Sequence, residues 1–381
     1  MLEQVAAAFE QKDYKTAKKL LKQLLKETPD DPMVKLYAAK IQELSGKWED
    51  AEKIYRKLLR NTTNSKILSQ ARQGLQRLRE ITEAERQRAI SQATSDENAN
   101  EPGILILEAI SNELKTEAAQ KFAKIMQIEP YNARLLLPSR GWRLYRTGAI
   151  GELKFYGEQL QQNKIPCFWS TLTAIQQIQV FQVKYLQEIN PEINPEINPE
   201  INPEINPEIN PEIDSPITIV CTNQSEQLGS LTFAPSEVKA RVQGLLPIFE
   251  EVVNLSNRLK IDRKTKTQDY TQFCDLHLPK RKCILRFHDS SYQFKQGIDF
   301  TTTANSNTLR INWNNLTHWL NQQLPQVKIW SDFTSFAETI LDQNEMLSHI
   351  QPHTHLFRRE ASNWDPAFHL YSGLVLTKNC D

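Results

Sequence analysis

The sequence predicts a multidomain fold, with all-α helical hairpins at the N-terminus followed by an α+β mixed-sheet region that a low-complexity loop interrupts. Three observations carry this prediction. Apolar residues recur with a period of 34 near the N-terminus, strand-like and helix-like patterns alternate after residue 104, and one tetrapeptide repeats six times in mid-chain. A chain of 381 residues has room for two or three domains. The expected division is 1–90 (helical repeats with a capping helix), 91–103 (linker), 104–187 (small α/β domain), 188–214 (low-complexity loop) and 215–381 (α+β domain).

The N-terminal period joins two sets of five residues. The first set recurs 34 residues later, position by position: Tyr14, Ala17, Leu21, Leu24 and Leu25, then Trp48, Ala51, Tyr55, Leu58 and Leu59. Within the first set the residues from Ala17 onward fall at i, i+4, i+7 and i+8, which is one apolar stripe of a helix. Pro29 and Pro32 separate the first helix pair from the second, because proline ends one helix and starts the next. Small residues at 17 and 51 predict close helix crossings.

This register resembles the tetratricopeptide repeat (TPR) family over roughly residues 1–63. The resemblance implies antiparallel helix pairs that hold another polypeptide. Each repeat buries its apolar face only against a neighbouring repeat, so the last repeat needs a cover. We expect residues 65–89 to form a helix that caps the stack. Leu2 and Ala6 stand where part of the family carries a Lys and an Asn that bind a partner's C-terminal carboxylate, so that mode of binding is not expected here.

The resemblance also implies a partner-binding groove. Its predicted lining is Leu2, Phe9, Glu10, Leu36, Lys40 and Glu43. The alternative is that these side chains are solvated or pack against the next helix of the same chain.

Charge and composition limit the function classes. The formal net charge is zero, so no global field attracts nucleic acid or anionic lipid. No apolar run approaches the ~20 residues that cross a bilayer, and the N-terminus lacks the pattern of a signal peptide. Five scattered cysteines do not form a disulfide framework. These observations predict a cytoplasmic protein and leave homo-oligomers open, whereas a protein or peptide partner is what the resemblance to the TPR family implies.

The middle segment, 104–187, follows a linker-like polar stretch. Its patterns predict a strand at 104–110, helices at 116–128 and 131–137, a strand at 141–146, a helix to 162 and a strand at 165–169. This order resembles the C-terminal domain of the ribosomal stalk protein and the related protease adaptor, at the level of fold only. An alternative is that Ala118, Phe122, Met126 and Pro130 form half of a degenerate TPR.

The tetrapeptide tract contains Glu-Ile-Asn-Pro six times from Glu188 to Pro211. Proline at every fourth position lacks the backbone N–H that a helix or a sheet would use as a donor. It also restricts the preceding Asn to extended backbone conformations. Polyproline-type extension and serial turns are both compatible with this pattern. We expect a surface loop between the strand at 180–186 and the strand at 217–221.

The sequence of the C-terminal half predicts an α+β domain. Its sheet could continue into the middle segment across the tetrapeptide tract. The expected elements are strands at 217–221 and 230–233, a helix over 236–257, a hairpin of 283–287 with 292–296, and a strand at 308–313. Asn314 is expected to cap the following helix, and Ser335 with Glu338 forms a predicted capping box. Residues 267–294 resemble, in general character, uncharacterised bacterial TPR-containing proteins.

Chemical motifs in this half are weak. A spacing that suits zinc is found in Cys274, His277, Cys283 and His288. However, side chains alternate along a strand, which would place Cys283 and His288 on opposite faces. No metal or cofactor is therefore predicted. A basic patch for an anion or a nucleic acid is a second candidate, and a solvated rim is its alternative. That patch comprises Arg263, Lys264, Lys266, Lys280, Arg281 and Lys282.

Neither G-x-S-x-G nor H-E-x-x-H occurs in the sequence, so no catalytic residue is assigned. The predicted function is a non-enzymatic adaptor that binds a partner through its TPR helices. The alternative is an enzyme or nucleic-acid-binding protein with its site in the C-terminal domain and the TPR part as a targeting arm.

Overall fold

A computed structural model of the chain describes residues 1–187, 215–255, 261–300, 308–356 and 361–379. For residues 97, 249–255, 261–266 and 268 it describes the backbone alone. The described residues form two compact units, Met1–Ser95 and Asp96–Asp381.

The first unit consists of five helices. They are α1 (Leu2–Glu10), α2 (Tyr14–Glu27), α3 (Pro32–Leu44), α4 (Trp48–Asn61) and α5 (Ser65–Ala93). Asp13 caps α2 by accepting a hydrogen bond from the Thr16 N–H at 3.1 Å, and Asp31 caps α3 through the Met33 N–H at 2.7 Å. Gly46 adopts φ +71° in the turn before α4, a conformation that glycine reaches without strain. The predicted helix pairs, α1 with α2 and α3 with α4, are confirmed.

The repeat residues lie in the core of this unit. Ala17 and Ala51 are both 0% exposed, which agrees with their predicted places at helix crossings. Tyr55 is also fully buried and lies in a cluster with Leu58 and residues of α3 and α5. A phenylalanine at either alanine would overpack the crossing at a cost of about 1–3 kcal/mol.

The first unit ends in a longer helix than the sequence indicates. The predicted capping helix over 65–89 is present as α5, with Ile67, Ala71 and Leu78 buried against the preceding pair. It continues to Ala93, and a 3₁₀ helix at Glu97–Asn100 leads directly into the first strand. The stretch 91–103, expected to be a linker, is therefore largely regular structure.

The second unit contains ten strands and eight helices among its described residues. The strands are β1 (Pro102–Glu108), β2 (Trp142–Ala149), β3 (Cys167–Thr171), β4 (Gln179–Gln187), β5 (Ile217–Thr222), β6 (Leu228–Phe233), β7 (Ala240–Leu255), β8 (Ile261–Leu278), β9 (Cys283–His288) and β10 (Lys328–Trp330). The helices are α6 (Lys115–Met126), α7 (Pro130–Leu136), α8 (Ile150–Gln162), α9 (Leu172–Gln176), α10 (Leu309–Gln323), α11 (Phe333–Ala337), α12 (Asn344–Ser348) and α13 (Trp364–Lys378).

The strands form two sheets. One has three antiparallel strands in the order β2-β1-β3, and the other has seven in the order β10-β7-β8-β9-β4-β5-β6. The predicted order of elements from β1 to β3 is confirmed. However, β4 lies inside the larger sheet, parallel to β9 and antiparallel to β5. The middle segment 104–187 and the region 215–381 thus belong to one compact unit.

The tetrapeptide tract at 188–214 lies outside the described residues. The strands on either side of it, β4 and β5, pair directly with each other, with Gln187 opposite Thr218. The tract therefore joins two neighbouring antiparallel strands.

The predicted helix over 236–257 is wrong, because this stretch forms β7. Val238, Val242 and Leu245 occur at intervals of three and four, which suggested a helix. In the structure Val242 and Leu246 are buried whereas Leu245 is 47% exposed, so the true period is two. Pro247 is compatible with β7 because proline is accepted on edge strands.

Three further local predictions differ from the structure. Residues 308–313 begin helix α10 instead of a strand, and Thr308, not Asn314, caps it. The helix expected to open at Ser335 begins earlier, at Phe333. Residues 292–296 form no strand, and β9 pairs with β8 and β4 instead of with them. β9 instead forms a hairpin with β8, the strand that directly precedes it, across the short 3₁₀ turn Pro279–Arg281.

Candidate partner-binding surface

The first helices of successive pairs, α1, α3 and α5, share one surface. On its α1 side the ring of Phe9 lies 5.0 Å from the ring of Tyr37 and 5.9 Å from that of Tyr14, measured between centroids. Phe9 and Tyr37 are both half-buried. They form an accessible aromatic pair between α1 and α3.

The α5 side of this surface is polar. Glu43 on α3 accepts hydrogen bonds from Arg77 Nε at 2.7 Å and Nη2 at 3.0 Å, and from the Tyr55 hydroxyl at 2.7 Å. Burial opposes ionisation of Glu43, but the bonds from Arg77 and Tyr55 outweigh it and lower the pKa of Glu43. The carboxylate is thus charged and fixed in position.

Lys40 lies between the aromatic pair and the Glu43–Arg77 pair. Its Nζ donates to Gln70 Oε1 at 3.0 Å and lies 5.4 Å from the centre of the Tyr37 ring. Burial, followed by repulsion from Arg77, lowers the pKa of Lys40. Its only hydrogen-bond acceptor among the described residues is a neutral amide, so the ammonium can also donate to a carbonyl or carboxylate of a partner.

These side chains define the candidate surface. It consists of Leu2, Phe9, Glu10, Tyr37, Lys40, Glu43, Gln70 and Arg77. Of the six residues predicted from the sequence, Leu2, Phe9, Lys40 and Glu43 are half-buried, and Glu10 is exposed. Leu36 is 1% exposed and packs in the core against α4 and α5, so it cannot contact a partner and the prediction for it is corrected.

The sequence analysis missed Tyr37, Gln70 and Arg77. A usable signal was present, because Arg77 follows Glu43 by 34 residues, one repeat period. Extending the register into α5 would have placed a basic side chain beside Glu43.

The predicted basic patch is not brought together. Lys280, Arg281 and Lys282 are exposed just after β8, and Arg281 forms an ion pair with Glu237 at 2.7 Å. The side chains of Arg263, Lys264 and Lys266 lie outside the described part of the structure. Their backbone lies in β8, and Lys266 is twelve residues from the end of that strand, about 40 Å at the rise of an extended chain.

The four residues with zinc-like spacing also point apart. Cys274 lies in the core beneath α10 and accepts from Arg241 Nε at 3.2 Å. His277, three residues on, faces α13 and its Nε2 lies 2.9 Å from the Ser372 hydroxyl. Throughout the described ranges, no group of three or more His, Cys, Asp or Glu side chains is arranged to hold a metal ion.

A buried polar network surrounds Arg286 in the second unit. Its Nε and Nη2 donate to the two oxygens of Asp275 at 2.9 and 2.7 Å, and Nη1 donates to the Pro352 carbonyl at 2.8 Å. Ser372 donates to Asp275 at 2.6 Å and contacts His277. Burial lowers the pKa of His277 to about 4, so this imidazole is neutral near pH 7.

This network has the residue types of a hydrolytic site but not its access. Asp275, His277, Arg286 and Ser372 are each 0% exposed. Ser372 directs its proton to the carboxylate and not to the histidine, which differs from an activated nucleophile. The arrangement holds α13 to the sheet.

Within the part of the chain that the structure describes, no helix is both long and apolar enough to cross a bilayer. Residues 8–73 match the family model of the tetratricopeptide repeat. Comparison with curated proteins and with solved structures gives no match.

Proposed function

We propose that this protein is a non-enzymatic adaptor that holds a partner polypeptide on the candidate surface. The observation that carries the proposal is the convergence of α1, α3 and α5 on that surface, most of whose residues lie within the stretch 8–73 that matches the tetratricopeptide repeat. Such repeats mediate protein–protein interaction in general. An aromatic pair beside a half-buried ammonium and a fixed carboxylate offers apolar contact and hydrogen bonds together.

The non-enzymatic part of the proposal rests on burial. Asp275, His277 and Ser372, which have the residue types of a hydrolytic site, are enclosed in the core. A cytoplasmic location is supported by the four described cysteines, all of which are free thiols. The second unit is proposed to supply a second interface.

Two further resemblances concern fold or general character and imply no role. The order β1-α6-α7-β2-α8-β3 supports a likeness of the middle segment to the ribosomal stalk protein's C-terminal domain and the protease adaptor, at the level of fold. The likeness of residues 267–294 to bacterial TPR-containing proteins brings no activity with it.

Site-specific photo-crosslinking in the full chain tests the adaptor proposal. A photoreactive phenylalanine replaces Tyr37, and a matched variant carries it at Arg56, an exposed position on α4. In an extract of the source cells, we expect one polypeptide to be captured from position 37 and not from position 56. Lys40→Met should lower its capture at least fivefold, while Lys57→Met, also on α4, should not change it.

Equal capture from positions 37 and 56 would refute the proposal, and so would equal effects of the two lysine substitutions. Circular dichroism of each variant separates loss of binding from loss of folding.

A further inference from the structure

Strand β7 has an outer edge that its neighbour covers only in part. β10 pairs with it in parallel at three positions, Lys328 opposite Ala240 through Trp330 opposite Val242. After Trp330 the chain leaves the sheet and enters α11. Within the described residues, no other strand pairs with the outer edge of β7, so its backbone groups from Gln243 onward are free to pair on that side.

A cleft lies at the point where β10 leaves. It has a volume of about 360 Å³. Its walls come from β7 and β8 on one side, α10 on another, and the turn from β10 into α11 on the third. The lining residues are Gln243, Gly244, Leu245, Gln272, Phe273, Trp313, Asn314, Thr317, Ser331 and Thr334. The cleft therefore lies beside β7 where β10 ends, and it extends over the α10 side of β7 and β8.

The polar lining of the cleft is uncharged and available. The side-chain amides of Gln243, Gln272 and Asn314 have no hydrogen-bond partner among the described residues. The hydroxyls of Ser331 and Thr334 accompany them, whereas the Thr317 hydroxyl donates to the Asn314 carbonyl at 2.9 Å. Each amide both donates and accepts. This matches the alternating N–H and C=O groups of a peptide backbone.

The apolar lining adds a contact for side chains. Leu245 is 47% exposed on the same strand face as Gln243, and Trp313 forms part of the wall. The opposite side of Gly244 is filled, because a Cβ there would lie 2.5 Å from the Phe368 ring. A ligand thus meets β7 from its edge and from the α10 side only.

We propose that this cleft binds an extended, uncharged segment of a partner polypeptide, which adds to the outer edge of β7 in the place that β10 vacates. Strand addition supplies main-chain hydrogen bonds, and the amides and Leu245 select the side chains. Charged residues are excluded from the centre of the segment because no described lining residue would compensate a buried charge. This site is separate from the candidate surface on α1, α3 and α5.

Pro247 limits the length of the bound segment. Proline has no N–H, so it cannot donate to a strand on the outer edge, and it prevents open-ended pairing there. The pairing region is therefore short, from Gln243 to Leu246. A partner segment of only a few residues is therefore enough to fill this edge.

The test uses a phage-displayed library of random heptapeptides selected against the full chain. We expect enriched peptides with uncharged central residues. Thr317→Trp fills the cleft, and it should raise their Kd at least tenfold. The matched variant His318→Trp places the same side chain on an exposed position of α10 outside the cleft, and it should leave Kd unchanged.

N-methylation of alternate peptide backbone nitrogens provides a second test. It keeps the side chains but removes the donors that strand addition needs, so it should also raise Kd at least tenfold. The inference is overturned if no peptide is enriched, if enriched peptides bind the Thr317→Trp variant equally well, or if the methylated peptides bind unchanged. Lys40→Met should not affect these peptides, so failure here is distinct from failure of the adaptor proposal.

Discussion

Gly74 on α5 is predicted to be intolerant of alanine despite lying inside a helix. A Cβ built at this position would lie 2.4 Å from Cζ of the Tyr55 ring. Ordinary contact begins at 3.4 Å, so the ring would have to move by about 1 Å in a close-packed core. Tyr55 is fully buried, and its hydroxyl is bound to Glu43 at 2.7 Å.

Two effects of opposite sign decide the outcome. Alanine stabilises a helix interior by about 1 kcal/mol relative to glycine. Against this, overpacking costs about 1–3 kcal/mol, and loss of a hydrogen bond to a charged group costs about 1.5–3 kcal/mol. We therefore expect Gly74→Ala to lower the free energy of unfolding of the first unit by about 1.5–5 kcal/mol.

The assay must distinguish the two compact units, because each can unfold in its own transition. Hydrogen exchange followed by mass spectrometry gives protection for peptides of α4 and α5 separately from those of α13. Protection of α4 and α5 should fall, and that of α13 should stay the same. In a double-mutant cycle, Gly74→Ala should cost less protection in the Tyr55→Leu background than in the unsubstituted protein.

Unchanged or increased protection of α4 and α5 in Gly74→Ala would refute this reasoning, because helix propensity would then outweigh the contact with Tyr55. A loss that Tyr55→Leu does not relieve would show that the contact is not its cause.

Three further predictions concern the second unit and the tract. Arg286→Met should lower the stability of the second unit by about 3–5 kcal/mol, because it leaves Asp275 buried without its partner; a loss below about 1 kcal/mol in urea unfolding would contradict this. Since the pKa of His277 is lowered to about 4 in the fold from about 6.5 in the unfolded chain, the unfolded state binds the extra proton between these values, and stability should fall as pH decreases through this window. Between pH 7.5 and 5 this histidine should account for about 2 kcal/mol, measured as the part of the pH dependence that His277→Gln removes; equal pH dependence of both proteins would exclude it. Deleting four of the six Glu-Ile-Asn-Pro copies should leave the Tm nearly unchanged because loop closure depends weakly on length, and a drop above about 10 °C in a thermal scan would refute the interpretation as a loop.

The first unit was largely predictable because its information is local. Ala17, Leu21 and Leu24 lie on one helix face at the helical period, and the same pattern returns 34 residues later. Repeats contact their nearest neighbours, so the sequence pattern and the packing pattern have the same range. The prediction of Leu36 as a groove residue failed because local spacing does not show which side of α3 packs against the neighbouring helices.

The second unit was less predictable because its contacts are distant in sequence. Val242 and Leu246 are buried by α13, more than a hundred residues later. Spacing alone could not distinguish this strand from a helix. The cleft beside Gln243 likewise depends on where β10 ends, which no local pattern indicates.

The position of β4 in the larger sheet has a consequence for synthesis. β4 lies between β9 and β5, and β9 emerges from the ribosome only after the tract, β7 and β8 have been made. Until Cys283 to His288 are available, the apolar residues of β4 have one side without a neighbour, whereas the five helices of the first unit can already assemble. We therefore expect nascent chains that stop within the tract to be protease-resistant up to about Ser95 and sensitive beyond it.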